Sequence, residues 1–352
     1  MSTPAQILLT LAAAFAVGYL FYRLGIPGGL MLGGIVGAAA FNIFTEQGNM
    51  PYIARFFAQS VAGGFLGATI DREKLRSLKR LGWPLIIMVA GMFLSDLVIG
   101  VLIVWLSPLD PVTALASGIA GGINDVPLIA ADLGADAGKV AVLQFVRLMT
   151  GIGLVPILIR AADRGAGAGR TERGGAKKSA AASVSIGETL LALAAAMAGG
   201  YAGKRIGIPA GTLIFSMFAV ALLHLTTGKG RMRPRIKQAA QLLAGAYIGR
   251  MLGREDLLEL PYLVLPALVV VAVFVVNCFL SAALIRKSCS MTVRESMLAT
   301  TPAGAGEIAL LSEDLNITQD LAADIMLLHV FRVIAVVSVL PPAIPFLSTL
   351  LP

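Results

Sequence analysis

The stretch Ala12–Pro27, AAAFAVGYLFYRLGIP, occurs again as Ala194–Pro209, AAAMAGGYAGKRIGIP. Ten of the sixteen positions are identical at an offset of 182 residues. The offset persists without a gap, pairing Gly29 with Gly211, Gln59 with Gln241, Gly67 with Gly249, Asp125 with Glu307 and Asp132 with Asp314. After a three-residue insertion it becomes 185, pairing Arg147 with Arg332 and Pro156 with Pro341. A duplicated apolar chain with matched polar residues is the ground plan of many transporters, whose halves meet at a shared site.

Composition agrees with a membrane setting. Hydrophobic residues make up 57% of the chain and charged residues 14%, with mean hydropathy +0.85, against about 25% charged in a soluble domain. The net charge of +8 needs no nucleic-acid partner, because Lys and Arg sit in short loops beside apolar spans, where they set topology. The first apolar stretch recurs inside the chain at Leu190–Arg205, so it reads as a retained span rather than a signal peptide.

Six elements are expected in each half: 6–22, 25–44, 52–70, 82–106, 111–134 and 139–159, then 188–204, 207–226, 238–252, 261–285, 293–316 and 322–348. The fifth elements stand apart. Each has two apolar arms around a glycine-rich centre, Gly121-Gly122-Ile123-Asn124-Asp125 in one copy and Gly304-Ala305-Gly306-Glu307 in the other. Such an element is either a re-entrant hairpin or a broken helix that crosses. With hairpins, twenty Lys and Arg fall on one side of the membrane and six on the other. With crossing helices the division is fifteen against eleven. The positive-inside rule prefers the hairpins. The expected fold is therefore an all-α polytopic membrane protein with two inverted-topology repeats. Each repeat has about five transmembrane helices plus a re-entrant hairpin or broken helix. Residues 1–160 form repeat 1, 161–187 a flexible basic cytoplasmic linker, and 188–352 repeat 2.

The fifth elements are also where chemistry is expected. Irregular backbone at membrane depth lines a cavity or is buried in protein, and its free amides and carbonyls make ion sites. Gly121, Gly122, Asn124, Asp125, Gly304, Gly306 and Glu307 are candidates on that ground. Asp125 and Glu307 could bind Na+, carry a proton or pair with an arginine; alternatively they cap the second arms. Arg147 follows Gln144 by three residues and Arg332 follows His329 by three, which places each pair on one helix face. These arginines read either as a clamp on an anionic substrate or as members of buried ion pairs with Asp125, Asp132, Glu307 or Asp314. Asp96, mid-span, is a further proton or cation candidate, with Asn277 close to the matching place and Gln59 and Gln241 weaker ones. The small-residue repeats Gly29-xxx-Gly33-xxx-Gly37, Gly63-xxx-Gly67 and Gly245-xxx-Gly249 point to close helix packing.

Catalysis is not expected. The chain has only two His and two Cys, whereas a zinc or copper centre usually needs three or more such ligands. There is no nucleophile elbow, P-loop or HExxH pattern.

Two further stretches carry a resemblance. They are Ala299–Leu315 (ATTPAGAGEIALLSEDL) followed by Leu327–Arg332, and Gly121–Asp136 followed by Leu143–Arg147. Together they resemble the signature of the membrane AbrB-duplication family. The likeness covers nearly the whole chain. Family members typically carry a Pro-Gly-Gly-x-x-Glu-type segment, and the first copy departs from it with Asn124-Asp125-Val126-Pro127. Members are labelled AbrB-type regulators or ammonia monooxygenases, but this sequence has neither a DNA-binding module nor copper ligands. Its architecture is similar to inverted-repeat secondary transporters with hairpins, a likeness of fold alone.

The expected function is secondary active transport of a small, anionic organic solute coupled to H+ or Na+, with the site at the repeat interface. The alternative is a membrane-embedded sensor or regulator of gene expression acting through a partner protein. The partners implied are the lipid bilayer, the solute and its coupling ion, with a homodimer in view and no nucleic acid. No cofactor is implied, and no metal beyond a Na+ near Asp125 or Glu307. The expected location is the bacterial inner membrane, spanned several times.

Overall fold

The computed structural model describes residues 3–26, 28–72, 81–123, 125–155, 157–159, 184–288, 291–302 and 319–351. Among these the regular structure is helical, with no strand. The first half contains α1 (Thr3–Arg23), α2 (Gly29–Thr45), α3 (Tyr52–Gly67), α4 (Gly82–Leu106), α5 (Pro111–Gly118), α6 (Val126–Asp132) and α7 (Ala137–Met149). The second contains α8 (Ile186–Ile206), α9 (Gly211–Thr227), α10 (Pro234–Gly249), α11 (Arg254–Glu259), α12 (Val264–Ser288), α13 (Val293–Thr300) and α14 (Gln319–Ser348).

The bounds of α2, α3, α4 and α5 recur in α9, α10, α12 and α13 at the same offset of 182 that relates the sequences. The expected bounds fail at α10, which starts at Pro234 rather than at 238. Proline is favoured at the first helical position because its missing N–H is one the helix leaves unpaired anyway. That shift brings Lys237 out of the loop and into the first turn. The linker 161–187 is described only from residue 184, and its other residues lie outside the described set.

Two groups of helices pack separately. The first joins α1, α2 and α3 to α8, α9 and α10: α2 lies against α10, and α3 against α9. Glycines make these contacts. A side chain on Gly63 or Gly67 would collide with the carbonyls of Leu213 and Met217 on α9, and one on Gly245 or Gly249 with those of Met31 and Ile35 on α2. Every partner in the first pair maps onto the second by the offset, so the contacts are reciprocal. Gly33 and Gly37 press on α1 in the same way, against Val17 and Ala13.

The second group joins α4 to α12, with α5, α7, α13 and α14 packed around them. Its core includes Met92, Ile99, Ile119, Val270 and Phe274. The short α6 stands between the groups. Its Leu128 packs with Met31, Ala58 and Val61 of the first, while Ile129 packs with Leu213, Val333 and Val337.

Among the described residues, four helices are long and apolar enough to cross a membrane: Thr3–Arg23, Gly82–Leu106, Leu260–Ser288 and Asp324–Ser348. The helices α2 and α9 are apolar but shorter, at 17 residues each. Large apolar side chains face outward, among them Phe44, Leu94 and Phe346. The chain's two tryptophans, Trp83 and Trp105, sit exposed at opposite ends of α4. Their separation along the helix is about 33 Å at 1.5 Å per residue, close to the thickness of a bilayer's hydrocarbon core. Tryptophan prefers such interfaces.

Candidate functional site

The site begins where α5 stops. Ile119 leaves the helical region, and Gly122 adopts φ +132, a backbone conformation that glycine takes without strain. The chain then turns into α6. The N–H of Asp136 donates to Thr113 Oγ1 at 2.9 Å, so the start of α7 lies beside the start of α5. The α5–α6 segment therefore goes out and comes back.

A helix that ends inside a protein leaves carbonyls without partners. Here α7 supplies the donors. Gln144 Nε2 donates to the Ser117 and Ile119 carbonyls at 3.1 and 3.0 Å, and Arg147 Nη1 donates to Ile119 at 3.1 Å. In the second half α14 does the same for α13. His329 Nε2 pairs with the Leu298 carbonyl at 3.1 Å, and Arg332 Nη1 donates to Thr301 at 3.2 Å. A cation at a helix C-terminus also opposes the negative end of its dipole. One expected role of the arginines was ion pairing with Asp125, Asp132, Glu307 or Asp314; Glu307 and Asp314 lie outside the described residues, and Arg147 and Arg332 each donate to a carbonyl. The partner of Asp132 is Arg55, reinforced by Gln59 Nε2, which donates to Asp132 Oδ2 at 2.6 Å and to the Leu128 carbonyl at 3.2 Å.

Asp96 is buried in α4 and accepts the Ala120 N–H on Oδ2 at 3.0 Å. It thus holds the tip of the same break, with Arg147 and Arg332 within electrostatic reach. Among the described residues its Oδ1 has no hydrogen-bond partner. The residue at offset 182 is Cys278, whose carbonyl accepts from Thr300 Oγ1 at 3.0 Å. The neighbouring Asn277 accepts from Ser281 Oγ at 3.0 Å and is not an acid of the second half.

A cavity of 320 Å³ opens between the two helix groups. Gly121, Gly122, Asp125, Arg147 and His329 line it from the second group; Lys237 and Gln241 of α10 line it from the first. Asp125 precedes α6 but its side chain makes no capping hydrogen bond, so the expectation that it caps that arm is not met. Gln144, Arg332 and Asp96 lie behind the lining as its supports. Asn124, Gly304, Gly306, Glu307 and Asp314 lie outside the described residues. Among the described residues no three His, Cys, Asp or Glu side chains gather as a metal would require.

Lys237 escaped sequence reading because it stood in a run of loop cations, Lys229, Arg231, Arg233 and Arg235. The repeat offers a signal for it: the offset pairs it with Arg55, four residues before Gln59, as Lys237 is four before Gln241.

An all-helical chain with apolar spans, outward-facing aliphatic side chains and a cavity with charged groups between helix groups is a helical membrane protein. It belongs to the AbrB family, whose model, described as Transition state regulatory protein AbrB, matches residues 1–161 and 43–348. The Escherichia coli (strain K12) protein named "Putative regulator AbrB" is 26% identical over 356 residues, covering 98% of this chain and 97% of the relative. The Bacillus subtilis (strain 168) protein YhjN, described as uncharacterized, is 25% identical over 353 residues, covering 94% and 90%.

Proposed function

We propose that this protein is a secondary transporter of a small, anionic organic solute, driven by a proton or sodium gradient across the bacterial inner membrane. One observation carries the reading. The cavity is shared between two separately packed helix groups, with Asp125 at a backbone break on one wall and Lys237 with Gln241 on the other. A site between two bodies is what alternating access needs, since moving one against the other changes the side to which the site opens.

Supporting the membrane topology, Asp96 lies nine residues, about 14 Å, from Trp105 along α4. It meets the tip of the α5–α6 segment, whose two outer ends lie together. These contacts support a hairpin that enters from the Trp105 side and turns near mid-membrane. A hairpin leaves an odd number of crossings per repeat, and the second repeat is then inverted. The offset-related contacts of α3 with α9 and α10 with α2 support a two-fold relation between the halves. Asp125 and Asp96 are the acids placed to carry the coupling proton or Na+.

Uptake by proteoliposomes under an imposed proton or sodium gradient tests the proposal. Flux above empty liposomes, lost in Asp125→Asn, supports it. No gradient-driven flux across a panel of small organic anions, with cells unaffected by Asp125→Asn, refutes it. The name of the E. coli relative favours a second reading, regulation of gene expression through a partner protein. Deleting residues 161–183 separates the two: regulation would be lost and transport retained.

A further inference from the structure

The molecule contains its own example of how a third helix holds a carboxylate. Arg55 and Gln59 stand four apart on α3, which places them on one face. Arg55 pairs with the Asp132 carboxylate, and Gln59 Nε2 donates to the same group at 2.6 Å. The offset of 182 carries Arg55 to Lys237 and Gln59 to Gln241 on α10, again a cation followed by a glutamine one turn later. Both of these line the cavity. Lys237 Nζ lies 5.7 Å from the centre of the Phe65 ring, and among the described residues no carboxylate lies within ion-pair distance of it.

We infer that Lys237 and Gln241 bind the carboxylate of the transported solute as Arg55 and Gln59 bind Asp132, and that the solute is a short monocarboxylate. This rests on the transport reading and deepens it. Charge fixes the valence. Among the described residues the charged side chains on the lining are Lys237, Arg147 and Asp125, one cation in excess, which suits one negative charge. Arg147 is committed in part to the Ile119 carbonyl. Size and polarity fix the rest. At 320 Å³ the cavity is near the lower end of ligand pockets, with room for about ten waters. Val61, Leu66, Val330 and Val333 make its apolar side. A second carboxylate would face those groups, Asp125, or Arg147, whose guanidinium already serves the Ile119 carbonyl, which discriminates against dicarboxylates.

The test uses radiolabelled butyrate and the full chain in lipid nanodiscs, with binding read by equilibrium dialysis. Wild type should bind saturably, and succinate should compete far less well than unlabelled butyrate. Lys237→Ala should weaken binding about tenfold to a hundredfold, and Gln241→Ala about tenfold, as expected for hydrogen bonds to a charged group. Lys237→Arg should stay within a few fold of wild type. Absence of butyrate binding by wild type overturns the inference, as does a Lys237→Ala protein that binds normally. The offset pairs Asp132 with Asp314. If Asp314→Asn weakens binding as much as Lys237→Ala, the pair holds an internal carboxylate and the inference fails. Binding without gradient-driven flux would remove the transport reading and leave this assignment standing. Flux unchanged in Lys237→Ala would remove the assignment alone.

Discussion

Separating Arg55 from Asp132 should expose how α6 is fastened between the helix groups. Arg55 retains 8% of its surface and draws on three partners: the Asp132 carboxylate and the rings of Tyr52 and Tyr247, at 5.6 and 5.7 Å. Asp132 draws on Arg55 and Gln59. Removing one member of a buried pair strands the other, at a cost of about 3–5 kcal/mol. The two single variants should not cost the same. In Arg55→Met, Asp132 keeps its charge and has the Gln59 amide as its remaining described donor, so the loss should be about 3 kcal/mol or more. In Asp132→Asn, Arg55 keeps both tyrosine rings, each worth about 0.5–2 kcal/mol to a cation, and the new amide can still accept from Gln59. That loss should be about 1 kcal/mol smaller. The double variant strands nothing and should recover about 1–3 kcal/mol relative to the sum of the singles. Unfolding free energies from SDS titration of the purified protein measure all four corners of the cycle. Additive losses, with no coupling between the two positions, would refute the pairing and with it the template from which the role of Lys237 is argued.

Four further outcomes are expected. Gly67→Leu and Gly249→Leu should each destabilise by about 3 kcal/mol or more, since overpacking costs about 1–3 kcal/mol even where neighbours can shift and here they are backbone carbonyls. Gly82→Ala, with nothing within 4 Å of its added methyl, should be neutral or slightly stabilising in the same titration. Reporters fused at Leu109 and at Gly167 should fall on opposite sides of the membrane if α5–α6 is re-entrant, and on the same side if that element crosses. Asp96→Asn keeps an acceptor for the Ala120 N–H, so it should fold with wild-type stability yet lose gradient-coupled uptake; unchanged uptake would remove Asp96 from the coupling path.

What could be read in advance follows from how each feature is encoded. The duplication is written in identities at a fixed offset, so it needs no knowledge of contacts, and the bounds of α2 with α9 and α3 with α10 respect it residue for residue. The glycine repeats are similarly legible, because only a residue without a side chain lets backbones meet as Gly67 meets Met217. The roles of charged residues were harder. Arg55 and Lys237 looked like topology-setting cations, because a sequence window cannot distinguish a loop charge from one in a helix's first turn. Pro234 was the clue that the helix starts early. Arg147 and Arg332 were expected to clamp an anion or join carboxylates. A fifth element that breaks must leave helix carbonyls in need of donors, and a sixth helix running alongside is the natural source, so their capping role followed from a feature already in view.

The halves share a backbone plan but not a chemistry, and this bears on where a transporter's site can lie. Ser95 and Asn277 match, yet Asp96 stands opposite Cys278. Arg55 and Lys237 match, yet Arg55 meets an aspartate of its own half while Lys237 faces the cavity. The cavity is bounded by the break of the first half and by helices of both halves, with the offset-related Ala58 and Ala240, and Ala62 and Ala244, on its lining. Two equal sites would compete for the same coupling charge. On the transport reading, a site with its cation on the first helix group and its acid on the second would tie binding to the relative position of those groups. An anion that bridges Lys237 and the break would favour closure of the groups upon it, and protonation or Na+ binding at Asp125 would ease its repulsion of the anion's charge. Coupling would then follow from the asymmetry that the duplicated chain has acquired at Lys237 and Asp125.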